Sequence, residues 1–380
     1  QSGLLYLGIY AGSILSVFFW QLTLRRMIAV KETFRITSIA DLISTRYRRS
    51  QRIAALVTLI AFLGLLPYIS LQLEAVVRSF RLITIEEADG IHWSSSGLLI
   101  TFMMVIFTVL FGVRRLDPTE RHQGMILALV AECLVKLIAF LVLGSFITWH
   151  FFDGPMDVYD QIQINGYHHL LGFGGEGAGI QWLTLIVLSF VGVQLLPRQF
   201  HVAVVENVSP RHLGRARWMF PLYTVLITAF VIPVAAAGMI LGLPAARADY
   251  FMLMVPQALG QPLLALLAFV GGFSAASGMV IITTMTLSTM VSNHLLLPVC
   301  EKFDSLRWMR TWLLQVRWVL VATILFGSFG LARLLSDTHM LVAVGLISFV
   351  AALQLAPATL IGLFWSRGNS MGAFLGMLVG

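Results

Sequence analysis

Glu132 and Lys136 stand four residues apart inside an apolar stretch, Gln123–Trp149, that is long enough to cross a bilayer. That spacing puts both side chains on one helix face. A charge near the middle of a membrane costs roughly 3 kcal/mol or more unless it is paired or reaches water, so intramembrane charges mark functional positions. If their face looks into a bundle, the two can relay a proton or hold a zwitterionic solute. If they only pair with each other, they fix helix packing. Tyr68 and Gln72, also four apart, follow Pro67 and can line a polar path. Ser189, Phe190, Gly192 and Gln194 precede Pro197. A glycine among polar side chains suits an unwound turn that offers backbone groups to a ligand, and Phe190 could stack on a ring. The alternative is a lipid-facing Phe190 and a Gln194 bonded to a neighbouring helix. Tyr6, Tyr10 and Ser13 make a polar stripe at helical spacing, with Tyr6 better read as an interfacial belt residue. Arg198, Gln199 and His201 read equally as interfacial anchors or gate residues, and Tyr167, His168 and His169 as solvated loop residues.

The elements that must position these groups are membrane helices. The chain is 58% hydrophobic and 11% charged, against about 25% charged residues in soluble domains, and its mean hydropathy is +0.87. Nine apolar segments, at 3–22, 53–80, 97–113, 123–150, 180–201, 217–243, 261–293, 314–335 and 340–365, are predicted to span, and another opens near 371. The net charge of +7 sits in alternate loops. Residues 25–52 hold eight Lys and Arg against Glu32 and Asp41, whereas 151–180 holds acids and no Lys or Arg. This pattern orients a membrane protein, with the first segment running from outside to inside, and does not form a nucleic-acid patch. Pro67, Pro233 and Pro357 interrupt three spans, each as a packing kink or a solute site. Cys133 and Cys300 are far apart and suggest neither a disulfide framework nor a metal site. No nucleophile motif, metal cluster or phosphate loop indicates an enzyme, and no cofactor is expected. The abrupt start at Gln1 and the stop within an apolar run at Gly380 read as a piece of a longer protein.

Three segments carry a family resemblance. Thr37–Tyr47 resembles the cytoplasmic Asp…Arg-Tyr motif of the sodium/solute symporter family, Gly112–Gln123 its Gly-Leu-Arg…Thr-Asp-x-x-Gln segment, and Gln354–Trp365 with Arg367, Gly368 and Gly372 its Gln-x-x-Pro-Ala…Gly-Leu-Phe-Trp pattern. Leu65–Gln72, Glu132-x-x-x-Lys136 and Leu196–His201 further resemble the transporter-like domain of CbrA-type sensor histidine kinases.

The resemblance implies an all-α polytopic protein with a LeuT-like core of two inverted five-helix repeats. Residues 1–380 would form one transporter-like domain: 3–150 most of repeat one, 180–365 repeat two, and 371–380 the start of a further helix. The first core helix would lie before Gln1 and a kinase beyond Gly380. It implies a bacterial inner-membrane domain that binds an amino acid, histidine first, transports it, and signals to a cytoplasmic response regulator through the kinase. A stand-alone sodium-coupled solute symporter and a non-transporting receptor are the alternatives. The expected substrate residues are Tyr10, Ser13, Tyr68, Gln72, Ser189, Phe190, Gln194 and Gln354, the last by analogy with sugar-binding relatives. For ion or proton coupling they are Glu120, at the family's cation-linked aspartate or else a loop-side ion-pair partner, with Glu132, Lys136 and Ser277. Aligning Ser288-Thr289 to the family's hydroxyl pair puts Gly278 and Met279 at the sodium positions and His294 where relatives have an aspartate. Neither Gly278 nor Met279 offers a hydroxyl, so sodium-independent or proton-coupled transport is expected, with Ser277 one position away.

Overall fold

The computed structural model describes residues 3–84, 93–113, 123–175, 177–335, 341–365 and 367–380. Among these every regular element is helical. A single-turn 3-10 helix leads into α1 (Leu7–Phe19) and α2 (Thr23–Phe34), which together form one span bent by 60°. The short α3 (Ile39–Arg46) precedes α4 (Gln51–Thr84), α5 (Trp93–Gly112) and α6 (Gln123–Phe146). The segment between α6 and the next long helix holds α7 (Pro155–Ile164). Next come α8 (Ala178–Leu195), α9 (Pro197–Phe200), α10 (His212–Thr228), α11 (Val231–Ile240), α12 (Phe251–Ala258) and α13 (Pro262–Val291). The chain closes with α14 (Leu297–Lys302), α15 (Trp308–Thr311), α16 (Leu313–Leu335), α17 (Leu341–Ala356), α18 (Gly362–Phe364) and α19 (Ser370–Val379). Among the described residues seven helices are long and apolar enough to cross a membrane, and the bent α1–α2 pair makes an eighth; of the nine expected spans, 97–113 is a shorter apolar helix, Ser96–Gly112.

In lipid a spanning backbone must satisfy its own hydrogen bonds, which is why the apolar runs become helices. Hydroxyls inside them follow the same rule. Thr58, Thr101, Thr108, Thr148 and Thr359 each donate to the carbonyl four residues back, at 2.7–2.8 Å. Among the short helices at the basic end, α3 starts on a polar cap: the Ser38 hydroxyl accepts from Asp41 N at 3.1 Å. Arg35, in the left-handed region at φ 54°, ends α2.

The core is the packing of α4 and α6 on α13, of α4 on α16 and α17, and of α1 on α8. Leu65, Ile69, Val280, Leu325 and Leu355 are among its buried side chains. A second apolar cluster joins Leu143, Ile147, Ile162, Val234 and Phe251 around the far end of α6. Small residues set the spacing where helices touch. Gly12 of α1 lies against Ile186 and Ser189 of α8 so closely that a β-carbon would collide with both.

The prolines behave differently from one another. Pro67 sits inside the unbroken 34-residue α4 and does not interrupt it. Pro233 falls in the first turn of α11, after the chain has already left α10. Pro357 opens a short wide-turn helix after α17. The main break lies at Leu196, whose ψ of 127° separates α8 from α9 with Pro197 as the first residue of the new turn. Gly192 is four residues earlier and helical; it packs on the Phe349 ring of α17. The expected unwound stretch is therefore displaced from Gly192 to Leu196, because Gly192 serves close helix approach.

Candidate functional site

Two cavities meet on α13. The inner one, about 190 Å³, lies between α6, the α8–α9 break and α13, and Glu132, Lys136, Arg198, Gln199, Gly278 and Met279 line it. The outer one, about 380 Å³, lies between α4, α13 and Tyr250, with Gln72, Ser79 and Phe273 in its wall. Ala275 belongs to both walls.

Glu132 meets α13 through two serines. Ser277 Oγ is 3.3 Å from Glu132 Oε1, and Ser274 Oγ donates to the Glu132 carbonyl at 3.2 Å. The missing side chain of Gly278 makes room for the carboxylate, and a β-carbon there would collide with Oε2. Glu132 and Lys136 share the cavity yet form no ion pair within 4.0 Å. Lys136 Nζ instead lies 5.6 Å from the Tyr223 ring. The buried-ion-pair alternative is thus not the arrangement adopted: both charges face the same hollow without neutralising each other.

Arg198 enters the cavity from the first turn after the break. It is 8% exposed. Its guanidinium lies 4.2 Å over the Tyr68 ring, and Nη1 donates to Met279 Sδ at 2.7 Å. The Tyr68 hydroxyl donates to the same sulfur at 2.9 Å. Tyr68 therefore backs the cavity by holding Arg198 and Met279. Sequence reasoning weighed Arg198 only as an anchor or gate. The missed signal is its isolation: no other Lys or Arg lies between Lys136 and Arg211.

Gln72 lines the outer cavity, and two residues on the buried Glu74 pairs with the part-exposed Arg78. Burial pushes the Tyr250 hydroxyl up to about 12 despite the neighbouring Arg78 guanidinium. It therefore remains protonated through the physiological range.

The other expected substrate residues lie elsewhere. Ser13 Oγ donates to Ile9 O at 2.9 Å, Tyr10 packs edge-on to Tyr6, and Phe190 packs edge-on to Phe19. Ser189 donates to Ile186 O at 3.1 Å, against Gly12. Gln194, fully buried, accepts from Thr23 Oγ1 at 2.6 Å and donates to Ser16 Oγ at 3.0 Å. Ser189, Phe190 and Gln194 belong to the seam where α8 meets α1 and α2, and the described polar groups there are bonded to protein. Gln354 donates to the Met377 carbonyl and ties α17 to α19. Glu120 lies outside the described residues.

Two of the motif segments meet at the basic end. Arg46 donates to Gly362 O and Trp365 O, both at 2.6 Å, and the Tyr47 hydroxyl donates to Ala358 O at 3.1 Å. Asp41 accepts from Thr37 N and Oγ1 at 2.9 and 2.6 Å and lies 3.3 Å from His294 Nε2. Arg317 donates to Asn293 Oδ1 at 2.8 Å. His201 pairs with Glu206 at 3.3 Å. Of the Gly112–Gln123 segment, Gly112 and Val113 are described, and Trp318 Nε1 donates to Val113 O at 2.8 Å. Among the described residues no group of three His, Cys, Asp or Glu could hold a metal ion.

No known family model matches the chain. Over 209 residues it is 23% identical to an uncharacterized symporter, YhjB, of Bacillus subtilis (strain 168), covering 54% of this chain and 39% of that protein. The chain thus spans less than half the length of that curated relative. Its fold is similar to a solved structure described as the substrate-bound outward-open state of a Na+-coupled sialic acid symporter. The TM-score is 0.70 at 13% identity, over 98% of this chain and 75% of that one. The chain is therefore an all-α, multi-pass membrane protein with the LeuT-like fold of that symporter.

Proposed function

We propose that the chain is the membrane domain of a secondary transporter for a small polar solute. The observation that carries this reading is the inner cavity. It sets Glu132, Lys136 and Arg198 around one hollow in mid-bundle, against a broken helix, and shares Ala275 with a second cavity toward the outer end. Solute sites at broken helices near the midplane are the working arrangement of many such transporters. The likeness to two symporters supports the same reading. Charges of both signs around the hollow favour a zwitterion, and the sequence resemblance favours an amino acid, histidine first. The same resemblance supports a bacterial inner membrane and an attached histidine kinase that acts on a cytoplasmic response regulator.

The coupling we propose is sodium-independent. Gly278 and Met279 offer no oxygen side chain, and the space beside Gly278 holds the Glu132 carboxylate. Glu132, with Ser277 and Lys136 beside it, then carries the proton if an ion is coupled, and Glu120 keeps a cation-linked role by resemblance alone. A sodium-coupled reading has one observation in its favour: Ser277 Oγ and Glu132 Oε1 form an oxygen pair of the kind a hard cation prefers.

Labelled histidine uptake into proteoliposomes, with proton and sodium gradients imposed separately, tests the reading. Uptake driven by protons without sodium is the expected result. Uptake only with sodium would overturn the coupling assignment. Binding without accumulation would identify a receptor.

A further inference from the structure

We infer that Arg198 recognises a carboxylate on the transported solute. The inference rests on the transporter reading and names a residue and a chemical group within that site. Arg198 is 8% exposed, and a guanidinium stays charged at any physiological pH. Burying such a charge without an anion is costly, and buried arginines are normally matched by carboxylates or backbone carbonyls. Among the described residues Arg198 has no carboxylate within 4.0 Å. A guanidinium offers five N–H donors. The acceptor Arg198 meets is a thioether sulfur, a weak one, and its buried Nε has no partner.

The side chain is nonetheless held in place. The Tyr68 ring lies against the guanidinium at 4.2 Å, and the Tyr68 hydroxyl and Nη1 share the Met279 sulfur. A planar donor fork fixed on an aromatic face, with Nε unpartnered, Nη1 spent only on a weak sulfur acceptor and a cavity beside it, fits bidentate capture of a carboxylate. Glu132, in the same cavity but more than 4.0 Å away, supplies the opposite pole for a cationic group. The solute class is a carboxylate whose second polar group is cationic, and an α-amino acid has that pattern.

The test is binding to the purified full chain in nanodiscs, by calorimetry, with carboxylates and their uncharged counterparts. The pairs are histidine and histidinol, proline and prolinamide, lactate and lactamide. The expected result is that a carboxylate binds, that its counterpart binds about 30-fold or more weaker, and that Arg198→Gln loses the same factor. Arg198→Lys is the companion variant. It keeps the charge without the fork, so an intermediate loss is expected even if the glutamine variant does not fold. Equal binding of acid and counterpart, or wild-type affinity in either variant, overturns the role of Arg198 and leaves the transporter reading standing. Binding of lactate but of neither amino acid keeps the role of Arg198 and removes the amino-acid assignment. No binding by any of the six overturns both.

Discussion

The basic end of the bundle and its middle treat charge in opposite ways. At the basic end, Arg46 spends its N–H groups on two carbonyls, Asp41 accepts from Thr37 and faces His294, and Arg317 meets Asn293. In the middle, Glu132 meets one serine hydroxyl, Lys136 lies near a ring, and Arg198 donates to a sulfur. A satisfied polar network rigidifies what it joins, whereas an unsatisfied one in a low-dielectric setting retains its attraction for an incoming partner. On the proposed transporter reading, the difference separates a part that holds helices together from a part that receives a polar solute.

The sharpest way to break this contrast is at Glu132. Glu132→Gln keeps the shape and removes the charge. Concentrative histidine uptake is expected to fall about tenfold or more, within the usual range of coupling energies. Equal accumulation by mutant and wild type would mean that the middle carboxylate is as structural as those at the basic end. A smaller effect, of another kind, is expected from Arg46→Ala. It removes two charge-assisted bonds from a half-buried side chain, worth about 1–2 kcal/mol together after allowing for solvent screening. The reading is faster hydrogen exchange of amides 358–365, and unchanged exchange there would show the two bonds to be idle. Smallest is Gln194→Leu, which leaves Thr23 and Ser16 without their shared partner. A loss of about 1 kcal/mol is typical for polar pairs inside membranes. The melting midpoint should drop while the KM for uptake stays within about twofold. A raised KM with an unchanged midpoint would restore Gln194 to the solute site.

The contrast also explains what the sequence could disclose. Eight of the nine span positions are legible because each needs a long apolar run, while 97–113 is a shorter helix. The prominence of Glu132 and Lys136 was legible too, because a charge inside such a run stands out against its neighbours. The break at Leu196 was not, since a glycine that permits close approach and a glycine that unwinds a helix look alike in one dimension. Gly192 is the first kind, and Pro67 in α4 shows that a proline need not interrupt a helix. Gln194 reads equally as a ligand group or a bond to a neighbouring helix until its partners Thr23 on α2 and Ser16 on α1 are visible, and Ser189 turns back onto Ile186 of its own helix. The union of Arg46 and Tyr47 with the backbone of residues 358–365 spans more than 300 positions, beyond any local spacing rule.

Ala275, the residue common to both cavity walls, has a practical consequence. A thiol placed there by Ala275→Cys would stand where the two cavity walls meet. A membrane-impermeant alkylating reagent would reach it from whichever compartment is open at the time. In a Cys133→Ser background, since Cys133 lines the inner cavity, the rates of labelling from each face would report how a protein that alternates as proposed divides its time between two orientations, with no solute movement needing to be measured.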